Sequence, residues 1–120
     1  VAISFGHDRP WGGVSQHEYR RMAQHPGHLL AYRVHFAAIG WADRQGHAAF
    51  EPGRLATLLG KNGKRLSDQS TRNAIGRAKD LHLVSPRSGA ACLVLPPHLF
   101  QKAKGAPVPC RVHQDRTPCV

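Results

Sequence analysis

Leu66-Ser67-Asp68-Gln69-Ser70-Thr71-Arg72-Asn73-Ala74-Ile75-Gly76-Arg77-Ala78-Lys79-Asp80-Leu81-His82-Leu83-Val84 is the stretch that decides the fold. Ser67 is a strong N-cap residue, because its hydroxyl can accept from a backbone N–H that the first helical turn leaves without a partner. Behind it Thr71, Ala74, Ile75 and Ala78 recur at spacings of three and four, which places them on one helical face. Gln69, Arg72, Asn73, Gly76 and Arg77 fall on the other. A helix with a small apolar inner face and an outer face of amides and guanidinium groups has the chemistry needed to read base edges. The stretch is therefore expected to be a DNA recognition helix.

Working outward, the segment before it is polar and basic, Lys61-Asn62-Gly63-Lys64-Arg65. It follows Pro52-Gly53-Arg54-Leu55-Ala56-Thr57-Leu58-Leu59-Gly60, which reads as a short helix with Pro near its start and Gly after its end. Leu55, Ala56 and Leu59 would face the core. His47-Ala48-Ala49-Phe50 is short, extended and apolar, suited to a small strand. Between residues 28 and 43, Leu30, Val34, Ala37, Ala38 and Trp41 form one helical stripe, supported by Leu29, Phe36 and Ile39, and Asp43-Arg44-Gln45-Gly46 closes it with a turn. Ser15-Gln16-His17-Glu18 is a capping box with Val14 and Tyr19 at the positions of a hydrophobic staple, so an additional short helix is expected over 16–24.

On the other side, Leu83-Val84-Ser85-Pro86-Arg87 and Ala91-Cys92-Leu93-Val94-Leu95, joined at Ser88-Gly89, read as a β-hairpin. Pro86 confines the first strand to an edge or an end. Leu99 and Phe100 are expected to fold back onto the core in a helical turn beginning at His98. Three parts result: an irregular arm over 1–14 with Trp11 as an anchor, a folded domain over 15–104, and a Pro-rich, mobile tail over 105–120.

Charge narrows the function. The 120 residues hold 17 Lys and Arg against 7 Asp and Glu, a net +10. Ten basic and two acidic residues lie between Arg54 and Lys104, so +8 of that total sits in one half. This is the footprint expected for a polyanion, nucleic acid before membrane, since no basic amphipathic helix with bulky apolar residues accompanies it. The alternative is a solvated basic surface.

Other chemistry is poorly supplied. Cys92, Cys110 and Cys119 form no paired framework, which points to a reducing compartment. Cys110, His113 and Cys119 could offer three zinc ligands and His25 with His28 two more, but no four-ligand set has the usual spacing, so neither metal nor cofactor is expected. Paired catalytic carboxylates, a phosphate-binding glycine loop, a nucleophile elbow and a His-x-His nicking motif are not recognisable, so the chain is not expected to be an enzyme or to take a small-molecule substrate. Neither a leader, a membrane-spanning run nor a lipidation motif is recognisable. The expected location is cytoplasmic, on the nucleoid.

Helix, short strand, helix, turn, helix, hairpin is the order of a winged helix-turn-helix. Trp41-Ala42-Asp43-Arg44-Gln45-Gly46, Phe50-Glu51-Pro52, Leu55-Ala56, Leu58-Leu59-Gly60, Leu66 through Ile75 and Leu81-His82-Leu83-Val84 together resemble a widespread family. It is the winged helix-turn-helix DNA-binding family of bacterial (notably actinobacterial), phage and plasmid replication initiators and regulators. The resemblance covers about residues 29–95. It implies a mainly α fold with a small β-hairpin: a three-helix core plus wing, with the extra N-terminal helix outside it.

The resemblance further implies double-stranded DNA as partner, with the helix after Ser67 in a major groove. Gln69, Arg72 and Asn73 would read bases, since Asn or Gln can bond adenine and Arg guanine in bidentate fashion. Ser67 and Ser70 would bond phosphates with the helix dipole. Lys61, Lys64, Arg65, Arg77 and the wing residue Arg87 would complete the phosphate contacts. Two features depart from the family pattern: five residues, 61–65, stand where a turn of three or four is usual, and Pro52-Gly53 stands where a Ser or Thr cap is expected. A regulator or an origin-binding component fits equally, as monomer or homodimer. The rival readings are an RNA-binding or ribosome-associated basic protein and a winged helix that docks an acidic protein.

Overall fold

A computed structural model describes residues 3–103 and residue 112. Its elements are α1 (Gln16–Ala23), α2 (Leu30–Trp41), β1 (His47–Ala49), α3 (Arg54–Leu58), α4 (Asp68–Asp80) and β2 (Cys92–Val94). Four helices and a two-stranded antiparallel sheet make a small, mainly helical domain whose element order is compatible with a winged helix.

α2 is the centre of the packing, with α1, α4 and β1 against it. Its stripe buries Val34, Ala37 and Ala38 completely, and Leu30, Phe36 and Trp41 pack at the margins. Leu55, Leu58 and Leu59 of the α3 segment, Ala74, Ile75 and Ala78 of α4, and Val84, Leu93 and Leu95 complete the core. Each fully buried leucine contributes about 1.5–3 kcal/mol relative to its exposed state. Leu29, expected to support the stripe, is instead 72% exposed: it is the extended N-cap residue, so the helical phase does not govern its direction.

α1 and α2 approach closely at Gly40, where an added Cβ would lie 2.8 Å from Arg20 Cγ and 2.9 Å from its backbone nitrogen. Their C-terminal carbonyls, which a helix leaves without internal partners, are taken by the other helix's side chains. Gln16 Nε2 donates to Ile39 O (2.9 Å) and Ala42 O (3.1 Å), and Arg20 Nε to Gly40 O (2.7 Å). The Arg20 guanidinium also lies 5.3 Å from the centre of the Trp41 ring. In return Arg33 of α2 donates from Nε to Ala23 O at the end of α1 (2.9 Å).

The capping box forms only by half. Ser15 Oγ accepts from Glu18 N–H (3.2 Å), while the Glu18 carboxylate turns to Arg21 (3.0 Å) rather than back to the cap. Val14 stays half exposed, so the staple does not close, and Trp11 is 56% exposed with Phe5 its ring neighbour at 6.4 Å. The arm is tied down by backbone bonds instead: Ser4 N–H donates to Gln101 Oε1 (3.0 Å), and Gln101 Nε2 donates back to Ser4 O. Near the end of the domain Leu99 and Phe100 N–H both bond Pro96 O; Phe100 packs on the core but Leu99 remains exposed.

The expected β-hairpin needs correction. The ladder partner of β2 is β1, with His47, Ala48 and Ala49 opposite Val94, Leu93 and Cys92. Residues 83–87 form no strand. Ser85 N–H bonds Val94 O (2.7 Å), but the chain then turns, Ser85 O accepts from Ser88 N–H (3.0 Å) instead of from Val94, and the Ser88 hydroxyl takes over. Buried Ser88 Oγ accepts from Val94 N–H (2.9 Å) and donates to Val94 O (3.3 Å). Where a wing is expected, residues 85–92 thus form a short loop, closed at its tip by mutual bonds between Gly89 and Cys92. α1 ends one residue before the expected 24, and α2 is two residues shorter at each end than the expected 28–43.

Candidate nucleic-acid interface

α4 begins as its sequence dictates. Ser67 is extended (φ −64°, ψ 156°) and its Oγ accepts from Ser70 N–H at 3.1 Å. Thr71, Ala74, Ile75 and Ala78 are buried, while Gln69, Arg72, Asn73 and Arg77 are exposed. Because the inner residues are mostly small, the helix lies close on α2 and presents the whole opposite face outward.

The three expected base readers lie together on that face as one bonded row. Arg72 donates from a terminal guanidinium nitrogen to Gln69 Oε1 (2.9 Å), and Gln69 Nε2 donates to Asn73 Oδ1 (2.8 Å). These are i,i+3 and i,i+4 pairs, so the helix spacing itself brings them within reach. Gly76 continues the face, and a Cβ built there would meet no atom within 4 Å. Nothing inside the protein requires a glycine at this position.

Two loops flank the row, 61–65 with three Lys and Arg residues and 81–91 with one, Arg87. Between α3 and α4, Lys61 and Lys64 exchange backbone bonds (3.0 and 3.1 Å) across Asn62 (φ 55°) and Gly63 (φ 77°). Both central residues are left-handed, as in a two-residue type I′ hairpin, so the inserted residues form a small ordered hairpin and set the two lysines side by side. Gly60 is required beneath it, since a Cβ there would collide with the Lys64 carbonyl. Arg65 pairs with Asp68 Oδ1 (2.9 Å), both well exposed. Gly53 stands at the N-cap of α3 with a left-handed backbone (φ 79°), a conformation that favours glycine.

Beside the outer row, a cleft of about 440 Å³ opens toward the wing loop, lined by Arg65, Arg72, Gly76, Lys79 and Ser88 over a floor that includes Leu55 and Ile75. Arg87 is on the exposed part of that loop. The Ser67 hydroxyl oxygen serves as the cap acceptor, as its sequence position predicts, and its proton is the group able to bond a phosphate. Arg77 projects from the flank of α4 away from the cleft.

Three contributors were not expected. Arg33, 3% exposed, donates to Leu59 O (3.1 Å), Leu58 O (3.2 Å) and Gly60 O (3.4 Å) as well as to Ala23 O, so it fixes the end of α3 from which the basic hairpin springs. Its signal was present, a lone arginine three residues after Leu30 and four before Ala37 on the apolar stripe. Burial lowers its pKa below the ordinary arginine value. Lys79 lines the cleft, legible only once the wing is placed. Ser88 carried no signal, since its role comes from a strand the chain does not form. Behind α4, His35 Nδ1 lies 2.8 Å from Leu83 O; burial lowers its pKa, and this bond opposes the shift.

Among the described residues no group of three His, Cys, Asp or Glu could hold a metal, and no helix is long and apolar enough to cross a membrane. Cys110, His113 and Cys119 lie outside the described residues, as does the tail beyond residue 103 apart from residue 112. The architecture is that of a small helical domain with a two-stranded sheet and a flanked, outward-facing helix. Family models, curated proteins and solved structures were all compared with the chain, and none matches it significantly.

Proposed function

We propose that the protein binds double-stranded DNA sequence-specifically, with α4 in the major groove, as a transcriptional regulator or an origin-binding component without catalytic activity of its own. The observation that carries this reading is the exposed row Arg72, Gln69, Asn73 beside the basic loop 61–65 and the loop that holds Arg87. Lys61, Lys64 and Arg65 at one end and Arg87 and Lys79 at the other are placed to hold phosphates on either side of a groove. Phosphate contacts position a protein on the duplex, and base contacts specify the site. Ser67, Ser70 and Arg77 add contacts from the start and flank of α4. The inserted hairpin supplies what a longer wing would give.

Selection of sites from random duplexes followed by gel shifts tests this reading. Arg72→Ala or Asn73→Ala relaxes preference at one base pair by about 1–3 kcal/mol, whereas Lys64→Ala weakens all duplexes alike. Equal loss on every sequence for all three variants would defeat the base-reading role. A palindromic selected site signifies a dimer, a short asymmetric one a monomer.

A further inference from the structure

We infer that the base pairs facing Arg72 and Asn73 are read through guanine, an inference that rests on the DNA-binding role proposed above and names the bases that role selects. The argument is one of donors and acceptors. Arg72 carries only donors, so the Gln69 amide must turn its oxygen toward it. The Gln69 nitrogen then faces Asn73, which must turn its own oxygen inward to accept. A donor-only residue at one end therefore orients both amides.

What remains for the groove is a surface of donors. Arg72 retains its other N–H groups, Gln69 its second amide proton, and Asn73 both protons of Nδ2, while each amide oxygen already holds one bond. Gly76 adds no side chain, and the next polar groups toward the C-terminus, Arg77 and Lys79, are again donor-only. Of the acidic groups on α4, Asp68 is engaged by Arg65, and Asp80 lies about two turns beyond Asn73 at the far end of the helix.

In the major groove guanine offers two acceptors, N7 and O6, whereas adenine offers one acceptor and one donor. A bidentate bond from Asn or Gln to adenine needs the amide oxygen and nitrogen both turned to the base, and both oxygens here are turned along the row instead. Guanine matches this row, and adenine leaves its N6 donor facing other donors.

The test uses the full chain and the duplex selected above. Replacing the selected guanines with 7-deazaguanine, which deletes the major-groove N7 acceptor, lowers affinity about tenfold or more. Replacing them with hypoxanthine, which deletes only the minor-groove amino group, leaves affinity unchanged. Asn73→Asp, an exposed and isosteric change, converts two donors to an acceptor and moves preference at its position from guanine to cytosine, whose N4 is a donor. An A·T-rich selected site, or indifference to 7-deazaguanine, overturns the guanine assignment while DNA binding stands. A selection with no enrichment overturns the DNA-binding reading, and this inference with it.

Discussion

Arg33 has four backbone carbonyls as partners, drawn from the ends of α1 and α3. A guanidinium suits this task because its donors diverge in a plane, and a lysine ammonium cannot span the same carbonyls. Arg33→Lys is expected to cost about 2–4 kcal/mol, read as a lower urea midpoint at unchanged m-value, because buried acceptors lose their donors. Ser88→Ala is expected to cost about 1–3 kcal/mol by the same measurement, since the Val94 N–H loses its partner, while Val94 O keeps the bond from Ser85 N–H. His35 contributes through pH. Its folded pKa is lowered, so below the ordinary value of about 6.5 the unfolded chain takes up the proton first and stability declines as pH falls. His35→Gln should flatten that acid limb in pH-dependent denaturation, and an unchanged limb would remove His35 as its cause. At this scale the sequence was legible where the reason is local, as with Ser67, and opaque where a residue serves a distant backbone, as with Ser88.

Among the elements, α4 was the most readable because its cap, its period and its inner face of small residues lie within one short stretch. The sheet was the least. β1 and β2 are separated by two helices, and nothing local in His47-Ala48-Ala49 names Cys92-Leu93-Val94 as its partner. The inserted residues 61–65 were read as a plain basic connection, although Asn62-Gly63 is the dipeptide that favours a type I′ turn. Gly76 separates stability from binding within α4. Because nothing in the protein occupies the space a Cβ would take, Gly76→Ala should stabilise the free protein by up to about 1 kcal/mol. The same change should weaken the DNA complex if the helix backbone approaches the groove closely there. Thermal melts and gel shifts on one variant give both signs, and unchanged affinity would leave the glycine without a role in docking.

For the molecule as a whole, the +10 charge predicts a steep dependence of affinity on salt. Each phosphate contact removed lowers the slope of log K against log salt by about 0.9, so Lys61→Ala with Lys64→Ala should reduce it by about 1.8. An unchanged slope would take the hairpin off the DNA. The pairing of Ser4 with Gln101 brings the entering and departing chain together beside α1 and α2, not on the outer row of α4. That junction lies on the side of the domain formed by α1 and α2. Such a point is a natural anchorage: a dye, a solid support or a second DNA reader attached there would leave the front of the molecule unobstructed.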